Sequence, residues 1–115
     1  MKINSLFSKS GDNIAHSIAT YRKSLMEDMN LTLRLIANDT TYLTKPADWS
    51  NETITFEAPM TGLDYVIFLD NTIIDIIFVS KTGLFQTTLR ITSKYRKDAN
   101  LYYIAEIISP LVKRQ

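Results

Sequence analysis

The side chains that could do chemistry in this sequence are few and scattered. His16 is the one histidine, and the 115 residues include no cysteine. A zinc site normally takes several His or Cys ligands, so the sequence predicts no metal site. A general base also needs a group that positions it, and the sequence suggests no such partner for His16. We interpret His16 as a surface side chain of a helix.

Three aspartates that are close in sequence could supply a carboxylate pair: Asp64, Asp70 and Asp75. Their neighbours favour a simpler interpretation, which is a loop acid, a turn former and an outward-facing strand residue. The sequence also lacks the glycine-rich phosphate loops and the G-x-S-x-G nucleophile turn, because its three glycines are isolated. We therefore predict that the protein is not an enzyme, with no catalytic residues.

Composition and charge exclude several classes of protein. Thirteen Lys and Arg residues against twelve Asp and Glu residues give a net charge of +1, whereas a nucleic-acid binder usually shows a basic excess. The longest unbroken apolar run, 65–69, is far shorter than the roughly 20 residues that span a bilayer, and the N-terminus has no secretory apolar region. The sequence predicts one cytoplasmic domain with no nucleic-acid polymer as partner and no membrane insertion.

The N-terminal part has the periodicity of an amphipathic helix. From about residue 12 to residue 29, apolar side chains recur at spacings of three and four: Ile14, Ile18, Tyr21, Leu25 and Met29. Ser10, Asp12 or Asn13 could cap the N-terminus of this helix. Residues 1–11 before it are predicted to be a flexible lead-in.

The period then changes to the alternation of apolar and polar residues that is typical of strands. It predicts strands at 31–35, 41–44, 53–57, 73–79 and 85–92. A turn is expected at 37–40, because Asn and Asp tolerate turn geometry. Residues 80–83 are predicted to be a four-residue hairpin loop.

The hairpin that joins the last two of these strands has a predicted inner face. Its members are apolar side chains that alternate with polar ones: Ile74, Ile76, Phe78, Phe85, Leu89 and Ile91. Residues 45–50 are predicted to be a loop. Trp49 in that loop is either an exposed aromatic that binds a partner or a side chain that packs over the end of a barrel, and we favour packing.

Residues 101–108 fit two structures. Leu101, Ile104, Ala105 and Ile108 make a helical stripe, whereas the same segment also alternates as a strand would. Its Ile and Tyr side chains suit a sheet, and Pro110 ends either element. The pattern alone slightly favours the helix, so both structures stay open at this point.

The order of these elements resembles a known family. Its anchors are a strand that ends at Pro59, a hairpin followed by Gly83 and Phe85, and a last element that ends at Pro110 before Gln115. With these anchors, residues 13–115 resemble the N-terminal domain of the YcgR-like flagellar-brake proteins, which precedes a PilZ domain.

The resemblance implies a fold and domain limits. The fold would be mostly β (α+β), a small antiparallel split β-barrel with an N-terminal amphipathic helix. The barrel domain would cover residues 12–109, and residues 110–115 would start a linker to a PilZ domain. Residues 101–108 would then be a strand, with Tyr103, Ala105 and Ile107 directed inward.

The resemblance also implies a function, which is a non-catalytic regulatory domain of a cyclic di-GMP effector that modulates motility through protein contacts. Its partners would be a PilZ domain in cis and flagellar motor proteins. The family binds cyclic di-GMP through an R-x-x-x-R linker and a D/N-x-S-x-x-G strand, and neither motif is present in the 115 residues. Cyclic di-GMP is therefore expected only with a PilZ half that this sequence does not include, and we favour a domain cut from a longer protein.

The linker candidates in this chain are Lys113, Arg114 and Gln115. They are either the start of a hinge or a frayed, solvated tail, and Arg114 does not match the family's linker arginines. An alternative function is a stand-alone small immunity or inhibitor protein of the cytosol. Such a protein usually presents a surface of one charge to its target, and the sequence shows no such run.

Overall fold

The computed structural model describes residues 2–114, with side chains from residue 13 to residue 114. Its first element is the helix α1, Lys2–Met26. The helix begins well before the predicted start near Asp12, so it takes in most of the segment that was assigned to a lead-in. Gly11 costs a helix only about 1 kcal/mol, which is too little to end it. The three candidate capping residues therefore lie inside α1, and the predicted cap is wrong.

Strands make up most of the described chain, and all their pairings are antiparallel. The strands are β1 Thr32–Ala37, β2 Thr40–Thr44, β3 Pro46–Ser50, β4 Thr53–Glu57, β5 Met60–Thr61, β6 Asp64–Tyr65, β7 Ile73–Ser80, β8 Gly83–Lys97, β9 Asn100–Ile107 and β10 Val112–Arg114. The mostly β fold class with one N-terminal helix is confirmed.

The main sheet has the order β2-β1-β7-β8-β9-β4-β3, with β10 paired to β8, while β5 and β6 form a separate pair. Its two outermost strands, β2 and β3, are consecutive in the chain and separated only by Lys45. The sheet must therefore curve until its ends meet. At that junction the Glu57 N–H donates to the Lys45 carbonyl (3.3 Å). The result is the split-barrel arrangement.

The β7–β8 hairpin has the predicted inner face. Ile74, Ile76 and Phe78 are fully buried, and the facing side chains on β8 are buried with them. Ser80 pairs with Gly83, so the turn has two residues instead of the predicted four. The turn at 37–40 is confirmed, and both of its central residues, Asn38 and Asp39, have positive φ, as a two-residue hairpin turn requires.

Residues 101–108 are confirmed as a strand over most of their length, because β9 covers Asn100–Ile107. The strand pairs with β8 on one side and with β4 on the other. Two partner strands satisfy its backbone groups on both sides, and this pairing overrides the helical spacing of its apolar residues. Tyr103, Ala105 and Ile107 are buried, as the predicted strand orientation required.

The predicted loop at 45–50 is wrong, since Pro46–Ser50 forms β3 and pairs with β4. Pro46 is tolerated there because it begins an edge strand, where its missing N–H breaks no ladder. Trp49 is buried and stacks on Phe78, with ring centroids 5.0 Å apart. Packing rather than exposure is therefore confirmed for Trp49.

Helix α1 closes one opening of the curved sheet. Ile18 and Leu25 on its apolar stripe are buried in the core, and the Tyr21 ring lies 4.8 Å from the Phe85 ring, centroid to centroid. Met29, which was predicted to extend the stripe, lies beyond the end of the helix and is exposed.

Candidate functional site

The residues that the sequence singled out for chemistry are surface side chains. Among residues 13–114, no three His, Asp or Glu side chains gather as metal ligands would. His16, Asp64 and Asp70 are exposed. Asp75 also faces outward, as predicted, and accepts a hydrogen bond from Thr88 Oγ1 (3.2 Å). None of these four side chains contributes to the site described below.

The C-terminal residues, in contrast, are held in the sheet. In β10, Lys113 pairs with Phe85 and Arg114 with Leu84 of β8, and Leu111 just before it is buried. The first half of β8 has room for β10, because β9 pairs with β8 only from Leu89 onward. The frayed-tail alternative is therefore wrong for Lys113 and Arg114, whereas Gln115 lies outside the described residues. We call residues 109–114 the C-terminal exit.

Two hydrogen-bonded junctions hold the C-terminal exit. The first joins it to the helix, because the Leu111 N–H donates to Ser17 Oγ (2.8 Å). The second joins it to β8, where Thr87 Oγ1 donates to the Ser109 carbonyl (2.7 Å) and the Thr88 N–H donates to Ser109 Oγ (2.9 Å). The exit is therefore attached to α1 and to β8 at the same time.

Lys113 makes a third contact across the exit. Its Nζ lies 5.9 Å from the centroid of the Phe85 ring, within the range of a cation–π interaction. Phe85 is also the ring that packs on Tyr21 of α1. A Cβ at Gly83 would come within 3.1 Å of Lys113 Cε. Gly83, with φ of +139°, therefore leaves room for the lysine stem.

A shallow groove of about 360 Å³ lies beside the exit, and Gln86, Thr88, Val112 and Arg114 are among the residues that line it. The groove combines hydroxyl and amide groups with one guanidinium, which can donate to phosphate or carboxylate oxygens in a fork. The charged group among the described residues that line it is the Arg114 guanidinium, so the groove is suited to contact an anion or a polar surface of a neighbouring domain.

A further junction fixes the C-terminal end of α1. The Asp28 carboxylate accepts hydrogen bonds from the Lys81 N–H (2.8 Å) in the β7–β8 turn and from the Asn30 N–H (2.9 Å). These two hydrogen bonds, the one from Lys81 foremost, lower the pKa of Asp28 below its usual value because they stabilise the charged form. Asp28 thus connects the end of α1 to the β7–β8 turn.

Sequence reasoning missed Ser17, Ser109 and Asp28. A signal for Ser17 was present, because it lies three residues after Ile14 and four before Tyr21, on the apolar stripe of the helix. A hydroxyl at such a position needs a hydrogen-bond partner. Asp28 had a weaker signal, because an Asp side chain often accepts a hydrogen bond from the backbone N–H two residues further on and so forms a turn. Ser109 had no signal, since its partners are distant in sequence.

The sequence pattern of the PilZNR family, described as the flagellar protein YcgR, matches residues 28–106, which is more than half of the chain. The chain belongs to this family. The PilZNR match begins at Asp28 and ends at Glu106, so it covers the sheet from β1 nearly to the end of β9. Pro59, Gly83 and Phe85, three anchors of the resemblance, lie inside it. The anchors Pro110 and Gln115 lie outside, as do α1 and the C-terminal exit.

Two solved structures share the PilZNR chain's fold. The K. pneumonia MrkH–c-di-GMP complex superposes with a TM-score of 0.66 at 14% identity, over 89% of this chain and 41% of that one. The Bacillus subtilis inhibitor of motility, MotI/DgrA, gives a TM-score of 0.52 at 16% identity, over 74% of this chain and 44% of that one. This chain therefore spans less than half the length of either neighbour.

No curated protein sequence matches the chain significantly. In the part of the chain that the structure describes, no helix is both long enough and apolar enough to cross a membrane.

Proposed function

We propose that this chain is a non-catalytic regulatory domain of a cyclic di-GMP effector, which modulates motility through protein contacts. The observation that carries the proposal is the PilZNR match over residues 28–106. The two neighbours in fold agree with it, since one is a complex with c-di-GMP and the other is an inhibitor of motility. We further propose a cytoplasmic location, a PilZ domain in cis as the first partner, and flagellar motor proteins as later ones.

The geometry of the C-terminal exit supports this role. A domain that follows residue 115 would be attached through β10, and β10 is bonded to β8 and, through Leu111, to Ser17 of α1. A rearrangement of such a domain would therefore act on the strand and the helix together. Ligand binding shifts a population of domain arrangements by its differential affinity for them, and in this proposal the exit passes that shift to the domain.

We propose that residues 1–115 alone do not bind cyclic di-GMP. Arginine forks are the groups best suited to hold phosphates, and the family's R-x-x-x-R motif is not in this sequence. Titration calorimetry of residues 1–115, with MrkH as the positive control, should show no heat of binding. A micromolar dissociation constant would refute this part of the proposal, and loss of that binding in Lys113→Glu/Arg114→Glu would locate it at the exit.

The motility role is tested in the cell. Deletion of the gene that encodes this chain should restore swimming in a strain where cyclic di-GMP has been raised by a diguanylate cyclase. Wild-type complementation should slow swimming again. The Lys113→Glu/Arg114→Glu variant should fail to do so, whereas the matched charge reversal Lys23→Glu/Arg34→Glu, away from the exit, should succeed. Swimming that is unchanged by the deletion would overturn the proposed function.

No observation favours the immunity-protein alternative. A helix at residues 101–108 would have supported it, and these residues form β9 instead.

A further inference from the structure

The second half of β8 is an edge of the sheet. Pairing with β7 ends at Arg90, and a register shift between Ile91 and Ser93 follows. From there residues 93–97 pair only with residues 100–104 of β9, which β4 flanks on its other side. We call residues 92–99, the end of β8 with its turn, the β8–β9 arm. Every residue of the arm is exposed, so the arm presents its side chains to solvent.

The arm concentrates positive charge. Lys94, Arg96 and Lys97 are exposed, against one acid, Asp98, in the turn. The arm alone therefore carries +2, while the whole chain carries +1. Charge that is gathered on an exposed element attracts partners of opposite sign and accelerates their association.

The 59–69 segment crosses one face of the arm. The Tyr103 hydroxyl donates to the Val66 carbonyl (2.8 Å) and accepts from the Phe68 N–H (2.8 Å). Lys94 lies opposite Tyr103 in the register, so the two side chains are on the same face of the arm. Arg96, two residues further, lies over the Tyr65 ring at 5.8 Å from its centroid. Two cations of the arm therefore border this segment.

The same segment exposes apolar side chains. Leu63 is 94% exposed, Leu69 74% and Ile67 58%. Exposed apolar groups with a polar rim mark interaction sites in soluble proteins. On the opposite face of the arm, Tyr95 and Tyr102 stack at 5.3 Å. Tyr and Arg are enriched among the residues that dominate binding.

We propose that the basic arm and the apolar 59–69 segment form one docking surface for an acidic, amphipathic segment of a partner protein. The cations at Lys94 and Arg96 would meet its carboxylates, and Leu63, Ile67 and Leu69 would meet its apolar side chains. This proposal rests on the proposed interaction role and names the chemistry of the partner. Asp64 and Asp70 sit beside the apolar residues. They offset the charge of the arm over the surface as a whole, so a flat anionic bilayer gains little there, whereas a protein segment can align its carboxylates with the arm alone.

Fluorescence anisotropy of a labelled helical peptide that carries Glu on one face and Leu on the other tests the proposal. The peptide should bind residues 1–115, and Lys94→Glu/Arg96→Glu should weaken binding about tenfold. Leu63→Ser/Leu69→Ser should weaken it about fivefold. The matched reversal Lys23→Glu/Arg34→Glu should change it less than about twofold, because those charges lie elsewhere. Circular dichroism confirms that each variant is folded.

Several outcomes overturn the proposal. One is that the wild-type chain does not change the anisotropy of the peptide. Another is that the control reversal weakens peptide binding as much as Lys94→Glu/Arg96→Glu does. A third is that a peptide in which Gln replaces Glu, or Ser replaces Leu, binds as tightly as the original peptide. Two other probes are tested in parallel: vesicles with a third of anionic lipid, and a single-stranded oligonucleotide. If either one binds more tightly than the peptide, and Lys94→Glu/Arg96→Glu abolishes that binding, the surface is assigned to a membrane or to nucleic acid, respectively. The motility test is independent of these results, because it measures how deletion of the gene changes swimming.

Discussion

The two halves of strand β8 differ in burial although they are one continuous strand. In the first half, Phe85, Leu89 and Ile91 are buried, and β7 and β10 flank the strand. In the second half every side chain from residue 92 to residue 97 is exposed, and β9 is the neighbour that remains. A segment can thus remain a strand with one hydrogen-bonded neighbour, whereas its side chains are buried only where strands flank it on both sides and other elements pack against it.

This comparison assigns different tasks to the two halves. The first half is packed and hydrogen-bonded to the C-terminal exit, so it suits the transmission of a rearrangement. The second half presents charge and aromatic rings to solvent, so it suits recognition. The register shift between Ile91 and Ser93 marks the boundary, and such bulges commonly re-aim side chains at functional edges.

The two halves should differ most in how far the truncation of a side chain lowers the free energy of unfolding. Leu89→Ala should lower the free energy of unfolding by about 2–5 kcal/mol, because it leaves a cavity in a fully buried site. Ile76→Ala on the facing strand should cost a similar amount. Gln86→Ala, on the outward face of the same half, should cost less than about 1 kcal/mol. Equal losses at Leu89 and Gln86 in a urea titration would contradict the register.

A smaller loss is expected at Tyr103, which underlies the arm. Tyr103→Phe removes the donor to Val66 and leaves the N–H of buried Phe68 without its acceptor, which should cost about 1–3 kcal/mol. Burial raises the pKa of the Tyr103 hydroxyl. The wild-type protein should therefore keep this contribution below about pH 10 and lose it as the pH rises through the folded-state pKa.

The Phe variant lacks that alkaline component. Its free energy of unfolding should fall less steeply above pH 10 than the wild-type value, as measured by urea titrations at increasing pH. Parallel alkaline slopes in the two proteins would show that the hydroxyl does not ionise differently on folding.

A smaller effect that depends on pH is expected at Asp28, which binds the turn before β8. Its pKa is lowered by the hydrogen bond from Lys81 and then by the one from Asn30. Its contribution is therefore present above the unfolded-state pKa of about 3.9 and is lost as the pH falls through the lower folded value. Asp28→Asn should be less stable than wild type at pH 7, and the gap should narrow in acid. A gap that is independent of pH in thermal unfolding would contradict the role of the charge.

The smallest effect is expected in the arm. Arg96→Ala removes an exposed cation–π contact with Tyr65, which should cost less than about 1 kcal/mol. If a urea titration showed a loss as large as that of Leu89→Ala, the arm would be part of the core, and the distinction between the two halves of β8 would fail.

Much of the fold could be predicted from local pattern. The hairpin of β7 and β8 and the strands β1 and β4 appeared as alternation, because a sheet with one buried face selects apolar residues at every second position. The stripe of α1 appeared for the same reason at helical spacing. The start of α1 was missed, since residues 8–13 include no apolar side chain and so interrupt the helical periodicity.

The candidate site was predicted only in part. Lys113 and Arg114 were identified as linker candidates, but their capture on β8 was not foreseen. That pairing depends on a backbone edge beside Leu84 and Phe85, which is open because β9 pairs with β8 only from Leu89 onward. Ser17 and Ser109 complete the site through contacts between residues that are far apart in the chain.

Periodicity in the sequence predicts most of the side chains that are buried in α1, β1, β4, β7 and the first half of β8, because it records the side that faces the core. Three other features depend on tertiary pairing. Residues 101–107 form a strand because β8 and β4 offer two edges, Pro46–Ser50 forms β3 because β4 offers one, and β8 becomes an edge of the sheet where β7 ends. Each of these depends on the availability of a hydrogen-bonding edge, which no local pattern contains.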